Sequence, residues 1–264
     1  MHWLCPRRDV VAVSGQLTCE VDGSSGDIVA IRPEGLLDLT GTATLRTLLY
    51  KALAEVPHGI VIDLARVRLV DDMCLTLFPA VAKRAATEPG VSLVLCGADP
   101  MMRGRMAALG VDRGVTISAD FSDAVRIVRS RQAFGARFAE SFAARGESVP
   151  RARQFAGWAC GRWQVPEAVT QRIEVIVTEL ASNAVRHAGT PYQLVLRRFE
   201  SFIHVAVLDE DDQLAKLVGP ATPFSPGGRG LMIVEGFSSS WGSYATTRGK
   251  STWAIVRYRP VAAA

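Results

Sequence analysis

The sequence predicts an α/β fold in its first half and a differently built domain in its second half. Up to about residue 130, short apolar stretches alternate with helical patterns. A long amphipathic helix and two adjacent strand patterns follow in the second half. The chain has 264 residues, of which 48% are hydrophobic, so it is long enough for two cores of ordinary domain size.

The first half alternates strand and helix, the arrangement that typifies an α/β layer. The strand patterns lie at 27–32, 59–64 and 91–96, and the helical patterns at 45–54, 75–86 and 101–109. We predict a first domain over residues 1–130 with its core at 26–130, a linker at 131–145 and a second domain at 146–264.

One helix of the second half carries a row of polar residues. Glu179, Asn183 and His187 are spaced four residues apart, so one side of the helix presents a carboxylate, a carboxamide and an imidazole. A glutamate can take a proton from an attacking hydroxyl, and an asparagine oxygen can ligate Mg²⁺. The pattern therefore suggests acid–base chemistry beside a metal-bound phosphate. An ordinary surface helix with polar flanks is the alternative.

The helix that carries this row has clear boundaries. Pro166 and Glu167 suit its first turn, and Gly189 is a candidate for the position after its last turn. Glu179 and Asn183 fall on the border of an apolar stripe, so we expect both to be partly sheltered. The stripe consists of Val169, Ile173, Ile176, Val177, Leu180, Ala184 and Ala188.

Two strands follow, at 193–199 and 202–209. Because side chains alternate along a strand, Asp209 shares the core-facing side with Ile203, Val205 and Val207. A carboxylate there needs a donor, and the exocyclic amine of adenine would serve. The alternative is that Asp209 merely begins the acidic loop DEDD.

A stretch rich in glycine and proline, at 220–230, runs into a short apolar helix that begins at Leu231. Glycines let backbone N–H groups approach phosphate oxygens, and a following helix N-terminus adds partial positive charge. Gly228, Arg229 and Gly230 are therefore candidate phosphate-binding residues, and Leu231 adjoins them. The glycine cluster alone is a weak signal, since most such clusters are loops.

Four segments of the second half together resemble a known family. In order, ELASNAVRHAGTP, VAVLDEDD, GGRGLMIVEGF and RGKSTWAIV resemble the nucleotide-binding boxes of the GHKL-type ATPases. The sequences of these segments are similar to those of the anti-sigma-factor serine kinases. The resemblance covers residues 142–258 and implies an α+β two-layer sandwich, of the histidine-kinase type, that binds ATP and Mg²⁺.

The resemblance also implies a role for each matching residue. Glu179 would be the general base, Asn183 the Mg²⁺ ligand and Asp209 the adenine-recognising residue, with Thr252 near it. Gly228 and Gly230 would hold phosphates beneath a mobile lid that includes Arg229. His187 belongs to the first box, where it is expected to pack or hydrogen-bond rather than act as a catalyst.

The sequence departs from the family after Asp209. Glu210, Asp211 and Asp212 stand where the family often has glycines or Ser-Pro. Carboxylates near a triphosphate repel it unless Mg²⁺ or distance screens them, so this loop argues against tight nucleotide binding.

The first half resembles a STAS domain, the fold of the anti-anti-sigma factors that those kinases phosphorylate. GIVIDLARVRLVDDMCLTLF and VSLVLCGADPMMRGRMAALGV carry the resemblance, which covers residues 27–129. Where STAS substrates present the accepting serine, this chain has Asp71, Asp72, Met73 and Cys74. The site is therefore degenerate. The two aspartates either cap the helix or, as a sharper hypothesis, Asp72 imitates the phosphorylated state.

Composition limits the other possibilities. The formal net charge of +4 is mild and its basic residues are scattered, so nucleic-acid binding is not implied. No apolar run is long enough to span a membrane. Five cysteines without paired spacing suggest reduced thiols, and we expect a cytoplasmic protein.

Two functions remain open on the sequence alone. The first is an ATP-dependent serine kinase that acts in trans on a separate STAS protein and so controls a sigma factor. The second is a non-catalytic partner-switching module that holds a sigma factor or a STAS protein. The family resemblance also implies a homodimer.

Overall fold

The protein is seen in a computed structural model, in which two compact units comprise residues 1–133 and 134–264. The residues that the structure describes are 8–12, 16–22, 28–87, 91–130, 136–216 and 229–259.

The first unit is built on a seven-stranded sheet in the described residues. Its strands are β1 (Arg8–Ala12), β2 (Leu17–Asp22), β3 (Ile28–Leu37), β4 (Gly59–Asp63), β5 (Arg66–Leu69), β6 (Ser92–Cys96) and β7 (Thr116–Ile117). Their order is β1-β2-β3-β4-β6-β7, with β5 paired to the second half of β3. The first three strands pair antiparallel, whereas β3, β4, β6 and β7 are parallel.

Helices cover both faces of this sheet. They are α1 (Leu39–Ala54), α2 (Leu77–Thr87), α3 (Pro100–Ala108) and α4 (Phe121–Ser130). The larger core lies between the sheet and α1, α2 and α3, with Leu45, Phe78 and Met106 at its centre. A smaller core joins α4 to the other face through Ala124 and Val128. Parallel strands buried on both faces explain why their sequences are continuously apolar.

The second unit is an antiparallel sheet with helices on its core-facing side. Its strands are β8 (Arg137–Phe142), β9 (Tyr192–Arg198), β10 (Phe202–Asp209), β11 (Ser240–Ala245) and β12 (Lys250–Arg257). Its helices are α5 (Ser148–Arg162), α6 (Glu167–Asn183) and α7 (Arg229–Phe237). The strand order is β11-β12-β10-β9-β8. The predicted fold class, α/β followed by α+β, is confirmed.

The core of the second unit follows the predicted periodicities. From α6, the buried residues include Ile173, Ile176 and Leu180, and from β10 they include Val205 and Val207. Apolar residues spaced three or four apart in α6 therefore pack against apolar residues spaced two apart in β10.

Some elements differ from the sequence-based assignments. Residues 137–142, which we assigned to the linker, form β8 and pair with β9 at the edge of the second sheet. Pro166 is the N-cap of α6 rather than part of its first turn. Helix α1 begins at Leu39, earlier than its apolar pattern, because the Asp38 side chain accepts a hydrogen bond from the Gly41 N–H.

Four cysteines lie in the described part of the chain, and all are buried free thiols: Cys19, Cys74, Cys96 and Cys160. Burial raises the pKa of Cys19 and Cys160 to about 11, so both remain neutral thiols at pH 7. Among the described residues, no helix is long and apolar enough to cross a membrane.

Candidate functional site

Helix α6 presents Glu179 and Asn183 on the flank of its buried stripe. Both residues are partly exposed, as their position on the border of the stripe predicts, while Leu180 between them is buried. The carboxylate and the carboxamide therefore lie on the same side of the helix, one turn apart, and neither is fully buried.

The helix changes character directly after Asn183. Residues Ala184–Ala188 form a π-helical turn, and Gly189 ends it with a φ of 62°, in the left-handed region. A π turn takes one more residue than an α turn, so His187 leaves the straight row set by Glu179 and Asn183. His187 is exposed. The same turn brings Arg186 back toward the helix, where its Nη2 lies 3.4 Å from Asn183 Oδ1.

Asp209 ends the central strand β10 and is buried, at 4% exposed. Strand β12 lies beside it in antiparallel register, so Asp209 is opposite Lys250 and Val207 is opposite Thr252. The register places a carboxylate, an ammonium and a hydroxyl on one short stretch of the sheet.

Lys250 is buried with two carboxylates around it. Its Nζ lies 3.1 Å from Asp209 Oδ1 and 2.5 Å from Asp211 Oδ2. Burial raises the pKa of Asp209, and Lys250 opposes that rise. The pKa of the partly exposed Asp211 is lowered, chiefly by its hydrogen bond from Lys250. One of the three acidic residues of the loop is therefore neutralised within the fold.

Gly230, in the first turn of α7, lies against the polar flank of α6. A Cβ at this glycine would lie 2.7 Å from Glu179 Oε2 and 3.6 Å from Asn183 Oδ1. Only a residue without a side chain allows this approach without moving the glutamate. Arg229, beside it, is exposed. Gly228 lies outside the described residues.

A cavity of about 350 Å³ joins these elements. Of the residues predicted from sequence, it is lined by Asn183, His187, Asp209, Gly230, Leu231 and Thr252. Glu179 does not line it, and its carboxylate instead contacts Gly230, which does. The volume is within the range of small-molecule sites, and the walls combine apolar residues with a few polar groups.

Lys250 and Asp211 also line the cavity. Neither was predicted from the sequence as a site residue, although Lys250 lies in the segment RGKSTWAIV and Asp211 in VAVLDEDD. The position of Lys250 opposite Asp209 depends on strand register. The hairpin between β9 and β10 can be inferred from sequence, but the pairing of β12 with β10 crosses about 40 residues of chain.

The two units each match a family model. Residues 21–124 match the STAS domain, and residues 142–257 match the histidine kinase-like ATPase domain. The chain is a STAS domain followed by a histidine kinase-like ATPase domain. The ATPase domain implies ATP binding, and the pair of domains fits a partner-switching regulator.

The solved structures that match include anti-sigma factor antagonists. One from Mycobacterium paratuberculosis is 22% identical, covers 45% of this chain and 99% of its own, and has a TM-score of 0.38. The antagonist SpoIIAA in its unphosphorylated form is 18% identical, with coverages of 42% and 96% and a TM-score of 0.36. A chain of the stressosome, a signal integration and transduction hub, is 17% identical, with coverages of 46% and 96% and a TM-score of 0.30. No curated protein gave a match.

In the STAS domain, the degenerate phosphosite begins a 3₁₀ segment, Asp72–Thr76, that leads into α2. Asp71 is its N-cap, since its side chain accepts a hydrogen bond from the Met73 N–H at 2.8 Å. Asp72 instead pairs with Arg105, with 3.1 Å between Oδ1 and Nη1. Met73 is 60% exposed. The capping interpretation therefore describes Asp71, and Asp72 is a surface carboxylate with a cationic neighbour.

The ATPase domain has donor groups that suit Mg²⁺ bound together with a nucleotide. The described residues hold no cluster of three His, Cys, Asp or Glu side chains that would bind a metal unaided. Asn183 lines the cavity, and the oxygen of its carboxamide lies close to the empty side of Gly230. A single neutral oxygen suits a cation whose other ligands are phosphate oxygens and water.

Proposed function

We propose that this protein is an ATP-dependent serine kinase of the anti-sigma-factor type, acting in trans on a separate STAS protein. The observation that supports this best is the close approach of Gly230, at the wall of the cavity, to α6: a Cβ on Gly230 would lie 2.7 Å from Glu179 Oε2 and 3.6 Å from Asn183 Oδ1. The approach supports the proposal because it brings the proposed base, the proposed Mg²⁺ ligand and a helix N-terminus close together, a combination that suits phosphoryl transfer to a hydroxyl.

Glu179 would take the proton of a substrate serine as its oxygen attacks the γ-phosphorus of ATP. The bond between that phosphorus and the β,γ-bridging oxygen breaks, so the products are a phosphoserine and ADP. Asn183 would hold Mg²⁺, which when bound offsets the charge of the phosphates. Arg229 and the N-terminus of α7 would stabilise charge on the transferring group.

Transfer in trans follows from the chain's own STAS domain. The segment Asp71 to Cys74 has no hydroxyl. Thr76 lies one turn further on, and its hydroxyl donates to the Met73 carbonyl at 2.6 Å. We therefore propose as substrate a STAS protein that keeps its serine, with a sigma factor as the second partner. A homodimer and a cytoplasmic location complete this proposal.

The decisive test is radiolabelled ATP with Mg²⁺ and candidate STAS proteins. Wild type should label a serine, and Glu179→Ala should abolish labelling while ATP affinity in a calorimeter stays within about threefold, because the base acts on the transition state. Glu167→Ala is the matched control, since this exposed carboxylate lies in the first turn of the same helix. Full labelling by Glu179→Ala would exclude it as the base.

A non-catalytic partner-switching module is the second candidate. The observation that favours it is the acidic loop, in which Glu210 and Asp212 remain exposed beside the cavity-lining Asp211. The two candidates differ in one measurement: this module would bind its partner without transferring phosphate. A wild type that binds no ATP would exclude the kinase.

A further inference from the structure

The carboxylate of Asp209 is held by one of its two oxygens. Oδ1 lies 3.1 Å from Lys250 Nζ and accepts a hydrogen bond from the Asp211 N–H at 3.0 Å. Within the described part of the chain, neither contact involves Oδ2. The second oxygen therefore keeps its capacity to accept a hydrogen bond, on a residue that lines the cavity.

The arrangement also sets the charge at this end of the cavity. Lys250 is only 7% exposed, so it faces its two carboxylates with little water between. Two carboxylates and one ammonium leave one net negative charge. If Lys250 paired with Asp209 alone, it would offset the whole charge that attracts an amine donor. Because Lys250 also contacts Asp211, at 2.5 Å, it offsets the charge of Asp209 only in part.

We propose that Lys250 is a positioning residue for base recognition. Together with the Asp211 amide it fixes Asp209 through Oδ1, so that Oδ2 is presented to the amino group at position 6 of an adenine ring. The site thereby selects 6-amino purine nucleotides over 6-oxo purine nucleotides. This inference rests on the proposed nucleotide-binding function and deepens it.

Selectivity follows from the chemistry of the two bases. An amino group donates a hydrogen bond to a carboxylate oxygen, whereas a 6-oxo group is itself an acceptor and is repelled. A carboxylate that is free to rotate or retreat would still attract the amine but would discriminate less sharply. Because Lys250 holds the Asp209 carboxylate in a fixed position, the site discriminates between a 6-amino and a 6-oxo base more sharply than a mobile carboxylate would.

The test is calorimetric titration of the full chain with ATP and with inosine triphosphate, which carries the 6-oxo group. Wild type should prefer ATP. In Lys250→Met we expect ATP affinity to fall about tenfold while inosine triphosphate affinity changes less than about threefold, since Asp209 is no longer held in place to accept the hydrogen bond of the amine, and a 6-oxo group makes no such bond. A purely structural role would weaken both nucleotides alike. Lys83→Met, at an exposed lysine of the STAS domain, is the matched control and should leave both affinities unchanged.

Lys250→Arg covers the case in which the Met variant does not fold. It keeps a positive charge beside the buried carboxylates, but a guanidinium cannot place its donors where one ammonium stood. We expect the ratio of ATP to inosine triphosphate affinity to fall several-fold, by about threefold or more.

Each result has one meaning. A wild type that binds neither nucleotide overturns the proposed function itself. A wild type that binds both equally, or Lys250 variants that keep the wild-type ratio, overturn the role of Lys250 and leave nucleotide binding standing. Tighter ATP binding by Lys250→Met would show that the lysine competes with the base, which also overturns the proposal.

Discussion

At the scale of single residues, the candidate site depends on one close approach. Gly230 contacts the Glu179 carboxylate, and a side chain there would push against the flexible end of that glutamate rather than against backbone. The glycine is therefore required by the position of the proposed base and not by the conformation of α7, since a helix accepts alanine more readily than glycine.

Gly230→Ala should reduce phosphoryl transfer far more than it reduces ATP affinity. The added methyl displaces the Glu179 carboxylate, and a misplacement of about 1 Å in a catalytic group can cost about 100-fold in rate. Single-turnover labelling beside calorimetric ATP binding measures the two effects. Gly236→Ala, in the same helix with open space around its Cβ, is the control. Equal losses in both measurements would place Gly230 in binding alone.

A second residue, His204, couples stability to pH. It is buried in β10, and burial, assisted by Arg197, lowers its pKa from 6.5 to about 3. Below pH 6.5 the His204 imidazole is protonated in the unfolded chain but stays neutral in the folded chain. Stability is therefore lost progressively as the pH falls from about 6.5 toward 3.

We expect His204→Phe to flatten this dependence. Nδ1 of His204 is buried without a hydrogen-bond partner and its ring stacks on Trp253, so phenylalanine can keep the packing. Urea unfolding at pH 7, 6 and 5 should show a slope shallower than wild type by up to about 1.4 kcal/mol per pH unit, the value of one proton. Parallel slopes would mean that His204 is protonated in the folded protein.

At the scale of elements, helix termini carry the polar chemistry of both domains. The π turn Ala184–Ala188 widens the end of α6 and brings Arg186 within reach of Asn183. In the STAS domain, the segment Asp72–Thr76 begins at the cap Asp71. The resemblance to each family implied functional residues at these two termini; one carries Glu179 and Asn183, and the other has no hydroxyl at 71–74.

The two aspartates of the degenerate phosphosite should differ in their effect on stability. Asp71→Ala should lower the free energy of unfolding by about 1 kcal/mol, because an N-cap hydrogen bond is lost. Asp72→Ala should change it by less than about 0.5 kcal/mol, because its pair with Arg105 is largely exposed to solvent. Denaturant unfolding of both variants measures this, and a reversed order would contradict the capping assignment.

Asp72→Ser tests whether the aspartate imitates a phosphoserine. If it does, wild type and this variant should differ in how much of a partner kinase they retain in a pull-down. The pairing of Asp72 with Arg105 screens its charge, so we expect no difference in binding. A difference beyond about threefold would restore the mimicry hypothesis.

At the scale of the whole molecule, the two units have separate cores, and the proposed nucleotide site lies in the second unit. Adenine nucleotide should stabilise the ATPase domain alone, by about 2.7 kcal/mol at a concentration 100 times its dissociation constant. Hydrogen exchange on the full chain with ATP and Mg²⁺ should show added protection in 136–216 and 229–259. Protection confined to 28–130 would place the nucleotide in the wrong domain.

The sequence by itself determined the elements whose apolar residues have a clear pattern, among them β3, β4, β6, β9, β10 and α6, because burial on one face imposes a period of 3.6 or 2 on those residues and burial on both faces makes a strand continuously apolar. It also determined the pairing of Glu179 with Asn183, which needs only the pitch of one helix, and the loss of the hydroxyl at 71–74. These features depend only on residues that are close together in the sequence.

Only the tertiary structure decided how distant segments meet. The register of β12 against β10 places Lys250 beside Asp209, and the packing of α7 on α6 places Gly230 against Glu179. It also made residues 137–142 an edge strand, since a polar, half-exposed strand has a weak sequence pattern of its own. Such contacts join residues many positions apart, so they depend on how the layers pack and not on any local period.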